Sequence, residues 1–122
     1  MKLADLVDEM DLEVRSARQG LGNEVTGGYM SDLLSDVLAN CSDGNLWITL
    51  QRHQNIVAVA SMKQLAGIVL VAGREPEEET VEKAEAEGLP ILVSELPAFE
   101  IAGRLYTLGV RSTALRSAQA RE

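Results

Sequence analysis

Thr49, Arg52, His53 and Asn55 are the residues of this chain best placed to bind a charged ligand. They lie where a short apolar segment gives way to a helical pattern, and free amides and the helix dipole favour an anion at such a junction. The Arg52 guanidinium can hold a phosphate or a carboxylate through paired hydrogen bonds. In a chain with 19 acidic residues, a salt bridge from Arg52 to a neighbouring carboxylate is the alternative.

His53 is the only histidine in the sequence and could act as an acid, a base or a pH-sensitive contact. No nucleophile with a base, no paired acid and base, and no metal cluster can be identified around it, so we expect it to cap a helix or lie at the surface. Asp32 and Asp36, one helical turn apart, could hold a divalent cation, but carboxylates near a helix start are ordinarily solvated. The sequence therefore predicts no catalytic residue, no metal site, no cofactor and no enzyme activity.

Gly27 and Gly28 form a second candidate site. Paired glycines let a ligand approach the backbone closely; the alternative is a tight turn or bulge between Val25 and a helix that begins near Ser31. Arg74 lies in a further glycine-containing loop and adds a positive charge. The predicted ligand contacts are Gly27, Gly28, Thr49, Arg52, His53, Asn55 and Arg74.

Apolar strands and helical patterns alternate through the second half of the chain, and they must position these residues. The predicted strands are 46–50, 66–72 and 89–93, and the predicted helices are 55–65, 76–87 and 97–108. Connections this short imply right-handed crossovers and parallel strands. The loops 49–55, 73–76 and 94–97 should then meet at one edge of a parallel sheet, where open α/β folds bind ligands.

The first forty residues are predicted to add a helix, two strands and a second helix. Residues 1–10 repeat apolar side chains at helical spacing, 12–17 alternate like a strand, and Ser31 can cap a helix over 32–40. The predicted fold is a three-layer α/β domain with a mostly parallel sheet of βα crossover units and antiparallel or irregular strands in the amino-terminal section. Residues 1–110 form the predicted domain, and 111–122 a polar, arginine-containing tail that is solvated or frayed.

The composition limits the partners of the protein. The formal net charge is −8, which repels phosphate backbones and argues against nucleic-acid binding. Cys41 is the only cysteine, as suits a reducing compartment, and the protein is expected to be cytoplasmic. No apolar run reaches about 18 residues, so no membrane insertion is expected.

Several short blocks, in this order and spacing, resemble the DRTGG domain family over about residues 3–109. They are Thr26-Gly27-Gly28 after an acidic residue, Gly44-x-Leu46-x-Ile48-Thr49, Ala66 to Leu70 followed by Gly73 and Pro76, and Gly88 to Ile91. The chain departs from the motif at Glu24 and Val25, which stand where the family name has Asp and Arg. Asn55 occupies a position that is often acidic in relatives.

The resemblance implies a regulatory or dimer-forming module. DRTGG domains resemble the amino-terminal domain of HPr kinase and occur as inserts in phosphotransacetylases and in CBS-domain pyrophosphatases, where they are not the catalytic parts. The helix after Asn55 is apolar around most of its circumference, so both of its sides are expected to be buried. One side covers the sheet, and the other is covered either by the amino-terminal section or by the same helix of a second subunit, through a contact at Ala58 and Met62.

Two functions remain open from the sequence. One is a homodimeric regulatory domain in signalling that senses a small anionic or nucleotide-like ligand at the carboxyl ends of its strands. The other is a ligand-free dimer or interaction module that recruits a partner enzyme or signalling protein.

Overall fold

A computed structural model describes residues 1–113, so the predicted character of residues 114–122 lies outside the described part. Five helices and five strands make up the domain, with a short 3-10 helix at Arg18–Gly22. The helices are α1 (Leu3–Met10), α2 (Leu34–Asn40), α3 (Asn55–Lys63), α4 (Glu78–Glu87) and α5 (Ala98–Thr107). The strands are β1 (Glu13–Val14), β2 (Gly27–Met30), β3 (Asn45–Thr49), β4 (Gly67–Leu70) and β5 (Ile91–Val93).

The strands form one sheet in the order β1-β5-β4-β3-β2. Strands β2 to β5 are parallel, and β1 runs antiparallel to β5, with Glu13 opposite Val93. Every residue of β3, β4 and β5 is buried, as parallel strands covered on both faces require. The predicted mostly parallel sheet, with an antiparallel strand from the amino-terminal section, is confirmed.

Helices cover both faces of the sheet and complete the predicted three layers. Because the strands from β2 to β5 follow chain order, right-handed crossovers place α2, α3 and α4 on the same face. Their core is centred on Trp47, Ile56 and Ile68. Helix α5 follows the last strand and packs with α1 on the other face, where Leu6 and Ile101 meet Leu92.

The tight turn or bulge considered as the alternative role of Gly27-Gly28 is wrong. Both glycines lie in β2, where they pair in regular parallel register with Asn45 and Leu46. Glycine is needed for space at the first position, because a Cβ atom on Gly27 would lie 2.6 Å from the carbonyl oxygen of Arg111.

The segment after α5 lies against the edge strand β2. The Gly28 amide donates to the carbonyl of Arg111 (3.1 Å), and the Thr113 hydroxyl donates to the side-chain oxygen of the buried Asn45 (3.3 Å). The Arg111 guanidinium stacks 3.7 Å from the ring centre of Tyr106. Residues 111–113 therefore contact the sheet at the point where Gly27 leaves room for them.

Candidate functional site

Asp32 and Thr49 join the carboxyl ends of β2 and β3. One carboxylate oxygen of Asp32 accepts hydrogen bonds from the Thr49 hydroxyl and the Leu50 amide, both at 2.8 Å. The Gln51 side-chain amide donates to the Asp32 carbonyl (2.8 Å). The Thr49 hydroxyl therefore stabilises the contact between the two strand ends, and its hydrogen is not available to a ligand. A depression of about 230 Å³ opens beside this junction, lined by Met30, Ser31, Asp32, Ile48, Thr49, Leu50, Val71 and Ala98.

Arg52 holds the loop after β3 against the loop after β4. Its Nε atom donates to the carbonyl of Glu75, while its own carbonyl accepts from the Glu77 amide (3.2 Å) and the Thr80 hydroxyl (2.7 Å). Among residues 1–113, the terminal nitrogens of the guanidinium make no hydrogen bond and no ion pair. These nitrogens are available to a ligand.

Arg74 lies on the same loop, immediately before Glu75. The turn that carries it places Ala72 and Gly73 in the left-handed region, at φ values of 55° and 71°. The Arg74 side chain is exposed and makes no hydrogen bond or ion pair with any described residue. Arg74 therefore directly precedes the residue whose carbonyl accepts the Arg52 hydrogen bond, so the two arginines lie on two loops that contact each other.

The carboxylate of Glu75 forms an ion pair with Arg15. Arg15 donates to both of its oxygens, at 2.7 and 2.9 Å. These hydrogen bonds hold the pKa of Glu75 below its usual value, so the group stays ionised and paired. The charge of Arg52 also lowers the pKa of Glu75, so this carboxylate compensates part of the Arg52 charge as well.

His53 and Asn55 form the start of α3. The Nδ1 atom of His53 accepts the Asn55 amide (3.1 Å), while the amides of Ile56 and Val57 donate to the carbonyls of His53 and Gln54. His53 therefore caps the helix, as expected. Because these first amides already have partners, an anion here would be held by side chains.

Gly27 and Gly28 lie at the amino ends of the parallel strands, whereas the other candidate contacts lie at the carboxyl ends. They pair with the amino end of β3, whereas the loops that carry Thr49, Arg52 and Arg74 follow the carboxyl ends of the strands. The structure brings together five of the seven predicted contacts and leaves out the two glycines, because β2 runs parallel to β3.

The sequence did not reveal Asp32, Glu75 and Arg15 as the residues that position the site. Asp32 was weighed with Asp36 as a cation pair, but the Asp36 carboxylate accepts from the Tyr29 hydroxyl (2.9 Å) and from Asn40 (2.8 Å). Hydrogen bonds from Ser31, Tyr29 and Asn40 lower the pKa of Asp36. The Asp32 carboxylate thus contacts the end of β3, whereas the Asp36 carboxylate contacts β2 and its own helix α2. Residues 1–113 contain no group of three or more potential metal-binding side chains.

The point where neighbouring strands send their helices to opposite faces lies between β4 and β5, and open α/β sheets bind ligands at such a point. Here the loops are tied together: the Ala72 amide donates to the Leu96 carbonyl (2.8 Å) and the Gly73 amide to that of Ser94 (2.9 Å). The Glu95 carboxylate lies beside Gly73. A ligand would therefore lie on the outer surface of these loops, near Arg52 and Arg74.

The comparisons with known proteins agree with the resemblance. A family model of the DRTGG domain matches residues 5–108. This chain belongs to the DRTGG domain family. No helix within residues 1–113 of this DRTGG domain is long and apolar enough to cross a membrane.

A solved structure shares the fold of this DRTGG domain. It is that of the CBS and DRTGG domains of the regulatory region of Clostridium perfringens pyrophosphatase, complexed with the activator diadenosine tetraphosphate. The TM-score is 0.67 at 15% sequence identity, over 84% of this chain and 44% of that chain. A search of curated proteins found no match.

Proposed function

We propose that this DRTGG domain is a non-catalytic regulatory module that forms a homodimer and senses a small anionic or nucleotide-like ligand at the carboxyl ends of its strands. The observation that supports the proposal is the contact between Arg52 and the loop that carries Arg74. Neither the terminal nitrogens of Arg52 nor the side chain of Arg74 makes a hydrogen bond or an ion pair with a described residue. In a chain of net charge −8, two arginines on contacting loops offer a local site for phosphate. The regulatory region of the pyrophosphatase was solved with a dinucleotide activator, which makes nucleotides the first ligands to test.

The structure suggests how such a ligand would act. Arg52 joins the loop after β3 to the loop after β4 through the Glu75 carbonyl. A phosphate held by Arg52 and Arg74 would fix these two loops relative to each other. Binding would favour the conformations in which the loops are fixed, and so change the surface that the dimer presents.

Arg52→Ala is expected to weaken nucleotide binding about tenfold or more, because a hydrogen bond to a charged group contributes about 1.5–3 kcal/mol. Isothermal titration calorimetry with adenine nucleotides, dinucleoside polyphosphates and acyl phosphates measures this. Arg18→Ala is the matched control, since Arg18 is exposed at the opposite edge of the sheet. No binding by the unaltered protein, or equal loss in both variants, would exclude the ligand site.

Helix α3 offers the proposed dimer surface. Ala58 and Met62 lie one turn apart on its exposed side, and Met62 is 72% exposed. Small and flexible apolar side chains allow two helices to approach closely across a two-fold axis.

Met62→Lys is expected to shift the protein toward monomer, raising the dissociation constant of the dimer about tenfold by placing two positive charges in the contact. Sedimentation equilibrium measures the shift. Met30→Lys makes the same chemical change at another exposed methionine. It should leave the molecular mass of the dimer in sedimentation equilibrium unchanged. A protein that is monomeric at micromolar concentrations before any substitution would refute the dimer.

A second function is favoured by a separate observation. Helix α5 exposes two aromatic side chains, Phe99 at 80% and Tyr106 at 60%. Exposed aromatic groups are enriched in protein interfaces, which supports the interaction module that recruits a partner enzyme or signalling protein. Calorimetry with nucleotides distinguishes the ligand-sensing module from the interaction module, because the interaction module needs no nucleotide.

A further inference from the structure

A groove runs along the outer surface of the layer formed by α1 and α5. One part of it, of about 490 Å³, is lined by Glu9, Met10, Phe99, Glu100, Gly103, Arg104, Thr107 and Leu108. A second part, of about 290 Å³, is lined by Met10, Asp11, Glu13, Val93, Ser94, Glu95, Leu96 and Arg104. Because Met10 and Arg104 line both parts, we treat them as one feature, the α1/α5 groove.

The first part of the α1/α5 groove has an apolar surface with an open centre. Met10 and Leu108 contribute to its lining, and the Phe99 ring projects into solvent at its side. A Cβ atom on Gly103 would meet no described atom within 4 Å other than those of its chain neighbours and its own helix backbone. The missing side chain leaves space on α5 one turn away from Phe99, enough to admit an apolar side chain from another molecule.

The lining of the groove is strongly acidic. It includes Glu9, Asp11, Glu13, Glu95 and Glu100, and among its described lining residues Arg104 alone is positively charged. Of the five carboxylates, that of Glu13 is paired with Arg15 (2.5 Å). The others have no ion-pair partner within residues 1–113. An apolar contact surrounded by unpaired carboxylates is complementary to a partner that is apolar and basic.

We propose that the α1/α5 groove binds a basic amphipathic helix of another protein. Its apolar side chains contact Phe99, Met10 and Leu108, and its lysines and arginines face the carboxylates. A groove between two helices is a common binding site for a third helix, which inserts residues spaced three and four apart. A second copy of this chain is a poor occupant, because acidic surfaces would then face each other. The inference rests on the recruiting function and specifies the chemistry of the partner.

The test uses a fluorescent synthetic peptide in which leucines form one face of a helix and lysines form the opposite face. The peptide is about 18 residues long and therefore about 27 Å long as a helix. An acidic peptide with glutamate in place of lysine is its counterpart. The basic peptide is expected to bind and the acidic one not. Phe99→Ala and Glu100→Lys should each weaken binding about tenfold. Glu87→Lys, an exposed charge reversal on α4 in the opposite layer, should change it less than about twofold.

Three results would overturn the proposal. The first is no binding of the basic peptide. The second is an equal loss in Glu100→Lys and Glu87→Lys, which would indicate general attraction to an acidic protein. The third is a dimer that Phe99→Ala converts to monomer, which would assign the groove to a second copy. Arg52→Ala should leave peptide binding intact, so failure of the nucleotide site and failure of the groove remain distinguishable.

Discussion

Trp47→Ala is expected to lower the free energy of unfolding by about 3–5 kcal/mol, the usual cost of deleting a buried aromatic side chain. The Trp47 side chain is fully buried on the face covered by α2 and α3. Its indole nitrogen donates to the carbonyl of Ser31 (2.8 Å). That bond supports the loop that carries Asp32, so the loss should loosen the end of β2 as well as the core. Urea unfolding followed by far-ultraviolet circular dichroism measures it.

Trp47→Phe provides the graded control. It keeps most of the apolar volume but leaves the Ser31 carbonyl without its donor, at an expected cost of about 1–3 kcal/mol. If the alanine variant is unfolded before urea is added, the phenylalanine variant still reports the contribution of the site, since small domains are stable by about 5–15 kcal/mol. A loss below about 1 kcal/mol in the alanine variant would contradict this account of the core.

Gly27→Val is expected to destabilise the domain by about 1–3 kcal/mol, as for an overpacked interior. A Cβ atom at Gly27 would lie 2.6 Å from the Arg111 carbonyl oxygen and 2.9 Å from the Thr113 methyl group. One of these contacts is backbone, so residues 111–113 must move away. The Gly28 amide would then lose its partner, and hydrogen exchange observed by NMR should become faster at Gly28.

Two other glycines make the comparison specific. On Gly28 the nearest atom to an added Cβ is 3.4 Å away, an ordinary contact, so Gly28→Ala should cost less than Gly27→Val. Gly103 lies in the middle of α5, where an added Cβ atom would face open space. Gly103→Ala should therefore stabilise the domain by about 0.5–1 kcal/mol. If all three variants shifted the urea midpoint alike, the contact between Gly27 and Arg111 would not matter.

The Thr-Gly-Gly motif therefore has a structural role in this chain. The Thr26 hydroxyl donates to the Asp43 carbonyl (2.8 Å), and Gly44, at a φ of 81°, packs against Thr26. Gly27 then provides the space for Arg111. These residues join β2, the loop before β3 and the segment after α5 into one unit.

The strands β3, β4 and β5 could be predicted to within two residues at both ends. Each is a short apolar run, and Leu46 and Trp47 show why: a parallel strand is buried on both faces, so both alternating sets are apolar. The sequence predicts a second strand in the first forty residues, but not that Gly27 and Gly28 form the start of β2. Its Gly-Gly-Tyr-Met sequence lacks an apolar run, and glycine pairs more often mark turns.

The sequence by itself determined the order of helices and strands, the parallel sheet, the loops at its carboxyl edge and the family of the protein. Local periodicity and short connections suffice for these, because each depends on residues close together in the chain. Tertiary structure decided which loops meet. Arg52 reaches Glu75 across 23 residues and Thr49 reaches Asp32 across 17, while Gly27 lies under Arg111. Such contacts depend on how the layers pack, and packing brings together side chains that no local pattern connects.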